Sequence, residues 1–383
     1  MAESLTLDDR QLLVELQSLG VRVVDETAGT LPGRRGGAGP SDAMFLWVRG
    51  LPLTVPSHAA FVDASPYTVR MSGRRATLYR DDAIVGPVTL PPRPRIYDMA
   101  TADGIPYWKI ALLHLDSIAS TVVQKCIYWD TPEQCGFCGI ELTRGEQTVP
   151  VKTPAMLAEV CTAARDYDHA VDVTLTTGSL NRRDRGAIYI SRCAAAIKEA
   201  SGMPIQVQFE PPDDLRVLDE VRRAGVDAVG IHSETFDPEV LARVAPGKAQ
   251  CGIEGYFRCW EAAVDVFGRG SVTTYVLLGM GERPELIIEG CRRAIAMGVY
   301  PFVVPLRPVP GTLMADVPPP APDYVASVYA EVSAMLADAG FDHMDAKAGC
   351  ARCQACSGLS AWERVFRREN ADVGNGLTVV PAA

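Results

Sequence analysis

The sequence is short of the features that mark several large classes of protein. Its first residues, Met1-Ala2-Glu3-Ser4-Leu5-Thr6-Leu7-Asp8-Asp9-Arg10, hold no apolar run, so they read as neither a secretory signal nor a transmembrane helix. Basic residues are not in excess: 37 Lys and Arg stand against 47 Asp and Glu, a net charge of −10. That balance argues against nucleic acid or an anionic membrane as the main partner, because both select for basic patches. No GxGxxG fingerprint follows a strand-like run, and no unit recurs at a fixed period. These absences leave a cytoplasmic globular protein that acts on small molecules or other proteins. At 383 residues and 48% hydrophobic it can bury a full core, in two or three structural units.

What the chain does have is cysteine in an unusual arrangement. Of 11 cysteines, six fall in two tight triplets, Cys126, Cys135, Cys138 and Cys350, Cys353, Cys356. This resembles reduced metal ligands rather than a secreted disulfide framework. In the first triplet eight residues separate Cys126 from Cys135 and two separate Cys135 from Cys138; no Cys or His follows before Cys161. A tetrahedral zinc site wants a fourth ligand nearby, whereas an iron-sulfur cluster on three cysteines leaves one iron open for a small molecule. A zinc knuckle completed from elsewhere stays open as the alternative. The other cysteines, Cys161, Cys193, Cys251, Cys259 and Cys291, sit mostly in helical patterns and read as small apolar residues.

Along the chain, Leu5, Leu12, Leu13, Leu16 and Leu19 have helical spacing, followed by a strand-like Val21-Arg22-Val23-Val24 and a Gly/Pro-rich loop from Gly29 to Pro40. Short strand-like runs such as Phe45-Leu46-Trp47-Val48 and Ala76-Thr77-Leu78-Tyr79 lead to the Pro-rich Leu90-Pro91-Pro92-Arg93-Pro94-Arg95. We read residues 1–105 as an accessory α+β domain that covers the next one. Strands and helices then alternate, which predicts parallel strands joined by crossover helices. The strands expected are 120–124, 171–177, 205–210, 228–232, 271–278 and 302–306, with helices such as 181–200, 215–224, 286–297 and 324–339 between or after them. The fold class is therefore α/β: a partial (β/α)6 barrel over residues 106–340, with a cysteine-rich extension over 341–383. Six units are too few for the closed eightfold barrel, and functional groups gather at the C-terminal ends of such strands. Those ends carry Cys126, Thr176-Thr177-Gly178, Glu210, Glu234, Gly279 and Arg307.

A cysteine triplet directly after the first strand of a six-unit partial barrel resembles the radical S-adenosylmethionine superfamily. Pro132-Glu133-Gln134-Cys135-Gly136-Phe137-Cys138 is similar to the biotin synthase/lipoyl synthase-like branch, with five residues added after Cys126. The N-terminal domain, the long first spacing and the C-terminal CxxCxxC resemble a subgroup associated with bacterial nitrilase gene clusters. The resemblance implies a [4Fe-4S] cluster on Cys126, Cys135 and Cys138 and S-adenosylmethionine on its open iron, yielding a 5′-deoxyadenosyl radical that abstracts hydrogen from a C-H bond. It implies contacts to S-adenosylmethionine from Thr176, Thr177, Gly178, Glu210, Glu234 and the segment at Gly279, with Arg243 suited to a carboxylate. Residues 305–312 are similar to the last barrel strand of biotin synthase and its turn, which implies Arg307 as a further cofactor-binding residue. The second triplet resembles ferredoxin-type ligation and implies an auxiliary iron-sulfur cluster, with zinc second and Ser357 or His343 as candidate fourth groups. Expected partners are a small-molecule or acyl-group substrate and a one-electron donor such as ferredoxin or flavodoxin, with neither nucleic acid nor membrane. Sulfur insertion is the reaction expected. Radical oxidation or rearrangement of a small metabolite linked to a nitrilase pathway competes with it, as does a non-catalytic iron-sulfur or zinc protein that carries electrons or scaffolds a partner.

Overall fold

The alternation of strands and helices resolves into one seven-stranded sheet in the structure, a computed structural model that describes residues 7–25, 43–72, 75–142 and 147–364. Six strands, Ser117–Thr121, Asp172–Thr176, Ile205–Gln208, Ala228–Gly230, Val272–Leu278 and Val299–Pro305, lie side by side in that order and run parallel. A seventh, Leu112–His114, pairs antiparallel with the first and forms the far edge. The helices Pro154–Asp168, Ala187–Ser201, Val217–Arg223, Gly252–Phe267 and Pro284–Ala296 fall between consecutive strands, and Pro322–Asp338 follows the last. Local chemistry sets their ends. The Thr153 side chain accepts from the Met156 amide and Pro154 opens the first turn, so the first of these helices begins there.

The six-unit partial barrel is as expected, and several boundaries shift for identifiable reasons. The first strand begins at Ser117 rather than Ser120 and ends at Thr121. The run through Val122 and Val123 stays extended, bonding Val122 N to Thr176 O at 2.7 Å and Gly178 N to Val123 O at 3.0 Å. The helix expected from Asn181 starts only at Ala187. Asn181 instead turns the chain by accepting from the Arg183 and Asp184 amides at 2.8 and 2.9 Å, and Gly186 takes φ +90° at the helix entrance. Nothing in the sequence pattern announced the short edge strand at Leu112.

Before the barrel, the helix Leu7–Leu19 and a sheet ordered Arg22–Asp25, Tyr67–Ser72, Arg75–Arg80, Ala83–Val88 accompany a hairpin of Ala43–Val48 with Leu51–Pro56. The expected Gly29–Pro40 loop lies outside the described residues, as do Leu5 and the chain beyond Arg364. One hydrophobic core runs from Leu13 through the barrel to Trp362.

Six parallel strands leave a gap between the sheet's two edges, and the C-terminal segment fills it. On the Leu112–His114 side, Arg352 pairs with Asp116 at 2.6 Å and with Asp172 at 2.8 Å, while Gly349 N donates to Asp172. On the other side, Ser357 Oγ donates to Val303 O, Gln354 Nε2 donates to Tyr300 OH at 3.2 Å, and Tyr300 OH bonds Glu363. The hairpin joins from behind, with Thr54 N donating to Ala355 O at 2.7 Å. Because the Asp172 side chain is only 1% exposed, Arg352→Met leaves a buried carboxylate without its cation. Urea unfolding should show a loss of about 3 kcal/mol.

Cys161, Cys193, Cys259 and Cys291 are buried in helices, as the sequence suggested, and Cys251 is partly buried at a helix entrance. Burial pushes the Cys161, Cys193 and Cys259 thiols from 9.0 up to about 12. Between those values the unfolded chain has lost protons that the folded chain keeps, so stability falls as pH rises. Thermal melts between pH 9 and 11 should show this decline, and Cys161→Ala should flatten it.

Candidate active site

The first cysteine triplet is built onto the end of the second strand. Ile127 N donates to Ser179 O at 2.9 Å, and Cys126 N donates to Glu141 Oε1 at 2.7 Å. A Cβ on Gly178 would come within 2.2 Å of the Lys125 carbonyl oxygen, so only glycine lets the cysteine loop lie this close. The added residues before Cys135 are tightly held. Tyr128 is buried, with its hydroxyl 2.5 Å from Arg185 Nη1 and 3.4 Å from Glu210 Oε2. Thr131 Oγ1 donates to Tyr128 O at 2.7 Å, Gln134 accepts from Asp130 N, and Glu133 pairs with Arg182 at 2.6 Å.

The three thiols form one electrostatic group. Burial raises all of them, Cys138 to about 12, and Cys138 is further raised by Cys126 as Cys135 is by Cys138. The nearby Lys248 charge pulls each thiol down. Lys248 is itself buried; burial opposes its charge, but Glu234 together with Tyr256, Glu210 and Cys135 outweighs that and holds its pKa well above the ordinary value. Its Nζ donates to Glu234 Oε1 at 2.6 Å and to His232 O at 2.9 Å. Glu234 has a left-handed backbone, φ 68°, a strained conformation for a residue with a side chain. The other expected carboxylate, Glu210, accepts from Ser179 Oγ at 2.7 Å.

A cavity of about 280 Å³ occupies the barrel interior. Ser117 and Ala119, Thr174 and Thr176, Tyr275 and Leu277, and Phe302 and Val304 line it, each pair alternating along one strand. Phe137, between the last two cysteines of the first triplet, also lines it, as do Arg307, Cys350, Cys353 and Cys356. Tyr275 OH donates to Cys350 Sγ at 3.1 Å, and Gln208 Nε2 does so at 3.4 Å. Burial pushes Cys350 up to about 12. It also raises Cys356, against the lowering charge of Arg307. Arg307 Nη2 donates to Thr54 O at 2.7 Å.

Of the residues singled out in the sequence, Thr176 and Arg307 reach this chamber with the second triplet. Thr177 and Gly178 are not in its lining; the Thr177 hydroxyl bonds the Gly178 carbonyl at 3.0 Å. Arg243 and Gly279 come together elsewhere, around a rim hollow with Glu282, Met314 and Tyr324, where Arg243 Nη2 donates to Met280 O at 2.7 Å. Ser357 and His343, the candidate fourth groups, have their hydrogen bonds elsewhere. Ser357 is committed to Val303 O and lies 3.3 Å from Tyr329 OH, and His343 Nδ1 lies 3.0 Å from Glu363 in a buried pair. Tyr275, Gln208 and His114 were missed; only the period-two alternation that puts Tyr275 and Leu277 on one face pointed to the first. Both triplets offer soft sulfur donors. Among the described residues no three His, Cys, Asp or Glu side chains converge on a site for one metal ion. A polynuclear cluster, with each thiolate on a different iron, accepts the wider spacing.

Residues 132–294 match the family model of the Radical SAM superfamily. The matched segment covers less than half of the chain. It contains Cys135 and Cys138, and Cys126 precedes its first matched residue. A 143-residue stretch, 37% of the chain, is 31% identical to bacteriochlorophyllide c C-7(1)-hydroxylase of Chlorobaculum limnaeum, and the match spans 34% of that protein. Similar solved structures include methylornithine synthase (PylB), with TM-score 0.48, 15% identity, and coverage of 70% of this chain and 77% of that one. Another is a radical SAM methyltransferase from Sphaerobacter thermophilus, with TM-score 0.44, 14% identity, and coverage of 72% and 76%. Likeness at this level says nothing about substrate. Among the described residues no helix is long and apolar enough to cross a membrane.

The buried Lys248–Glu234 pair beside the thiols makes a separate prediction. Lys248→Met should cost about 3 kcal/mol in urea unfolding, because Glu234 is left buried without a partner; adding Glu234→Leu should recover most of it.

Proposed function

We propose that this chain is a radical SAM enzyme that takes a hydrogen atom from a C-H bond of a small molecule held in the barrel chamber, and that sulfur insertion follows at that carbon, for which an auxiliary iron-sulfur cluster on the second triplet would be both the sulfur source and the acceptor of the remaining electron. One observation carries the reading: Phe137 of the first cysteine loop and the thiols of Cys350, Cys353 and Cys356 line the same chamber. Cys126, Cys135 and Cys138 would hold a [4Fe-4S] cluster, and the second triplet an auxiliary iron-sulfur cluster. When bound, the first cluster and S-adenosylmethionine supply the 5′-deoxyadenosyl radical, the cofactor's own chemistry.

The chain's residues bind, orient and keep water out. Glu234 and Glu210 would accept hydrogen bonds from the amino or ribose groups of S-adenosylmethionine, and residues 176–178 would supply the adjoining backbone. Arg243 and Gly279 suit the rim where its remaining polar groups would lie. Tyr275 and Gln208 donate to Cys350, and hydrogen bonds to a ligating sulfur stabilise its negative charge. Leu277, Phe302, Val304 and Leu306 form apolar walls that exclude water from a radical. Electrons come from an external one-electron donor such as ferredoxin or flavodoxin.

The partial match to a hydroxylase favours a second reading, oxidation at the same carbon. Anaerobic reduction with S-adenosylmethionine should yield 5′-deoxyadenosine from the wild type, and none above background from the Cys135→Ala, Cys138→Ala variant. Equal yields would defeat the proposal. With a turned-over substrate, sulfur in the product by mass spectrometry supports insertion, whereas added oxygen without sulfur supports the second reading.

A further inference from the structure

Arg307 differs from Arg352 and Arg185, which the fold also partly encloses. Arg352 is paired with Asp116 and Asp172, and Arg185 lies 3.6 Å from Asp213. Arg307 has no carboxylate partner among the described residues; its one protein hydrogen bond is from Nη2 to the Thr54 carbonyl. It is also the only Lys or Arg in the chamber lining, which contains no Asp or Glu. A guanidinium carries five donors in a planar fork; the Cys356 sulfur lies within reach of its charge, but no carboxylate answers the donors. The same chamber offers apolar surface from Phe137, Leu277, Phe302, Val304, Leu306 and Val309. At about 280 Å³ it lies just below the roughly 300–1,000 Å³ of pockets for drug-sized ligands, so its occupant is small.

We propose that Arg307 is the substrate's anion anchor, and that the chamber takes small organic acids whose carboxylate sits on the guanidinium and whose hydrocarbon part lies among the apolar walls. The inference rests on the chamber being the substrate site. Arg307 is pre-aimed: Thr54 holds one nitrogen and is itself fixed through its amide to Ala355. The rest of the fork is left for a carboxylate, the group whose geometry it matches.

The test is binding without turnover, so it stands apart from any failure to cleave S-adenosylmethionine. Iron-loaded enzyme is titrated anaerobically, without reductant, with 3-phenylpropanoate and with its uncharged amide. Calorimetry should show the acid bound about tenfold or more tightly than the amide. Arg307→Met should abolish that preference and Arg307→Lys retain part of it, with the low-temperature spectrum of the C-terminal cluster unchanged in the lysine variant. No binding of the acid, equal affinity for acid and amide, or an acid preference that survives Arg307→Met would overturn the proposal. So would loss of iron from the C-terminal site in Arg307→Met with the acid preference intact, since the arginine would then serve the cysteines.

Discussion

A parallel sheet of six strands cannot close on itself, and the remaining architecture answers that constraint. The edge strands Leu112–His114 and Val299–Pro305 would otherwise present unpaired backbone to solvent and leave the barrel interior open along one side. The segment from Gly349 to Glu363 fills the gap. It is tied to one edge by the ion pairs of Arg352 and to the other by Ser357, Gln354 and Glu363. Because this patch is also where three cysteines occur, closing the barrel and placing sulfur on the chamber wall are the same structural act. A C-terminal extension that merely trailed away could provide neither.

The buried charges separate structural from functional roles. Arg352 and Lys248 are each matched by carboxylates at hydrogen-bonding distance, and such pairs specify geometry more than they add net stability. Lys248 has a further effect: its positive charge lies near all three thiols of the first triplet and lowers the cost of their ionisation. Glu234 holds that cation in place from a left-handed backbone position that the strand-five contacts maintain, with Leu277 N donating to Glu234 O at 2.8 Å. Matched pairs therefore surround the cysteines, while the chamber's single arginine is left without a carboxylate.

Much of this was legible in the sequence because it is local or periodic. The β-branched runs gave the parallel strands; the cysteine spacing singled out two triplets, and the polar strand ends singled out Thr176, Glu234 and Arg307. Boundaries failed where side chains intervened, as when Asn181 turned the chain before its helix, or where an extended run outlasted its strand at Val122 and Val123. What could not be read was the meeting of distant segments. That Cys350, Tyr275, Gln208 and Phe137 face one cavity depends on a sheet whose curvature is set by all its strands together. Ser357 and His343 looked available as ligands because sequence proximity to a cysteine says nothing about direction; packing turned one to a strand carbonyl and the other to Glu363.

The same logic gives the N-terminal region a part in the site. A sheet that only covered the barrel would need apolar contact and no polar connection into it. Here the Leu51–Pro56 strand reaches the chamber wall through its backbone, its amide at Thr54 holding Ala355 and the carbonyl of the same residue holding Arg307. Backbone groups of a strand paired along its length to Ala43–Val48 are poor candidates for independent motion. Thr54 therefore fixes the cysteine segment and the arginine relative to each other. The hairpin sets the distance between a sulfur and a guanidinium that the barrel strands alone would leave undefined.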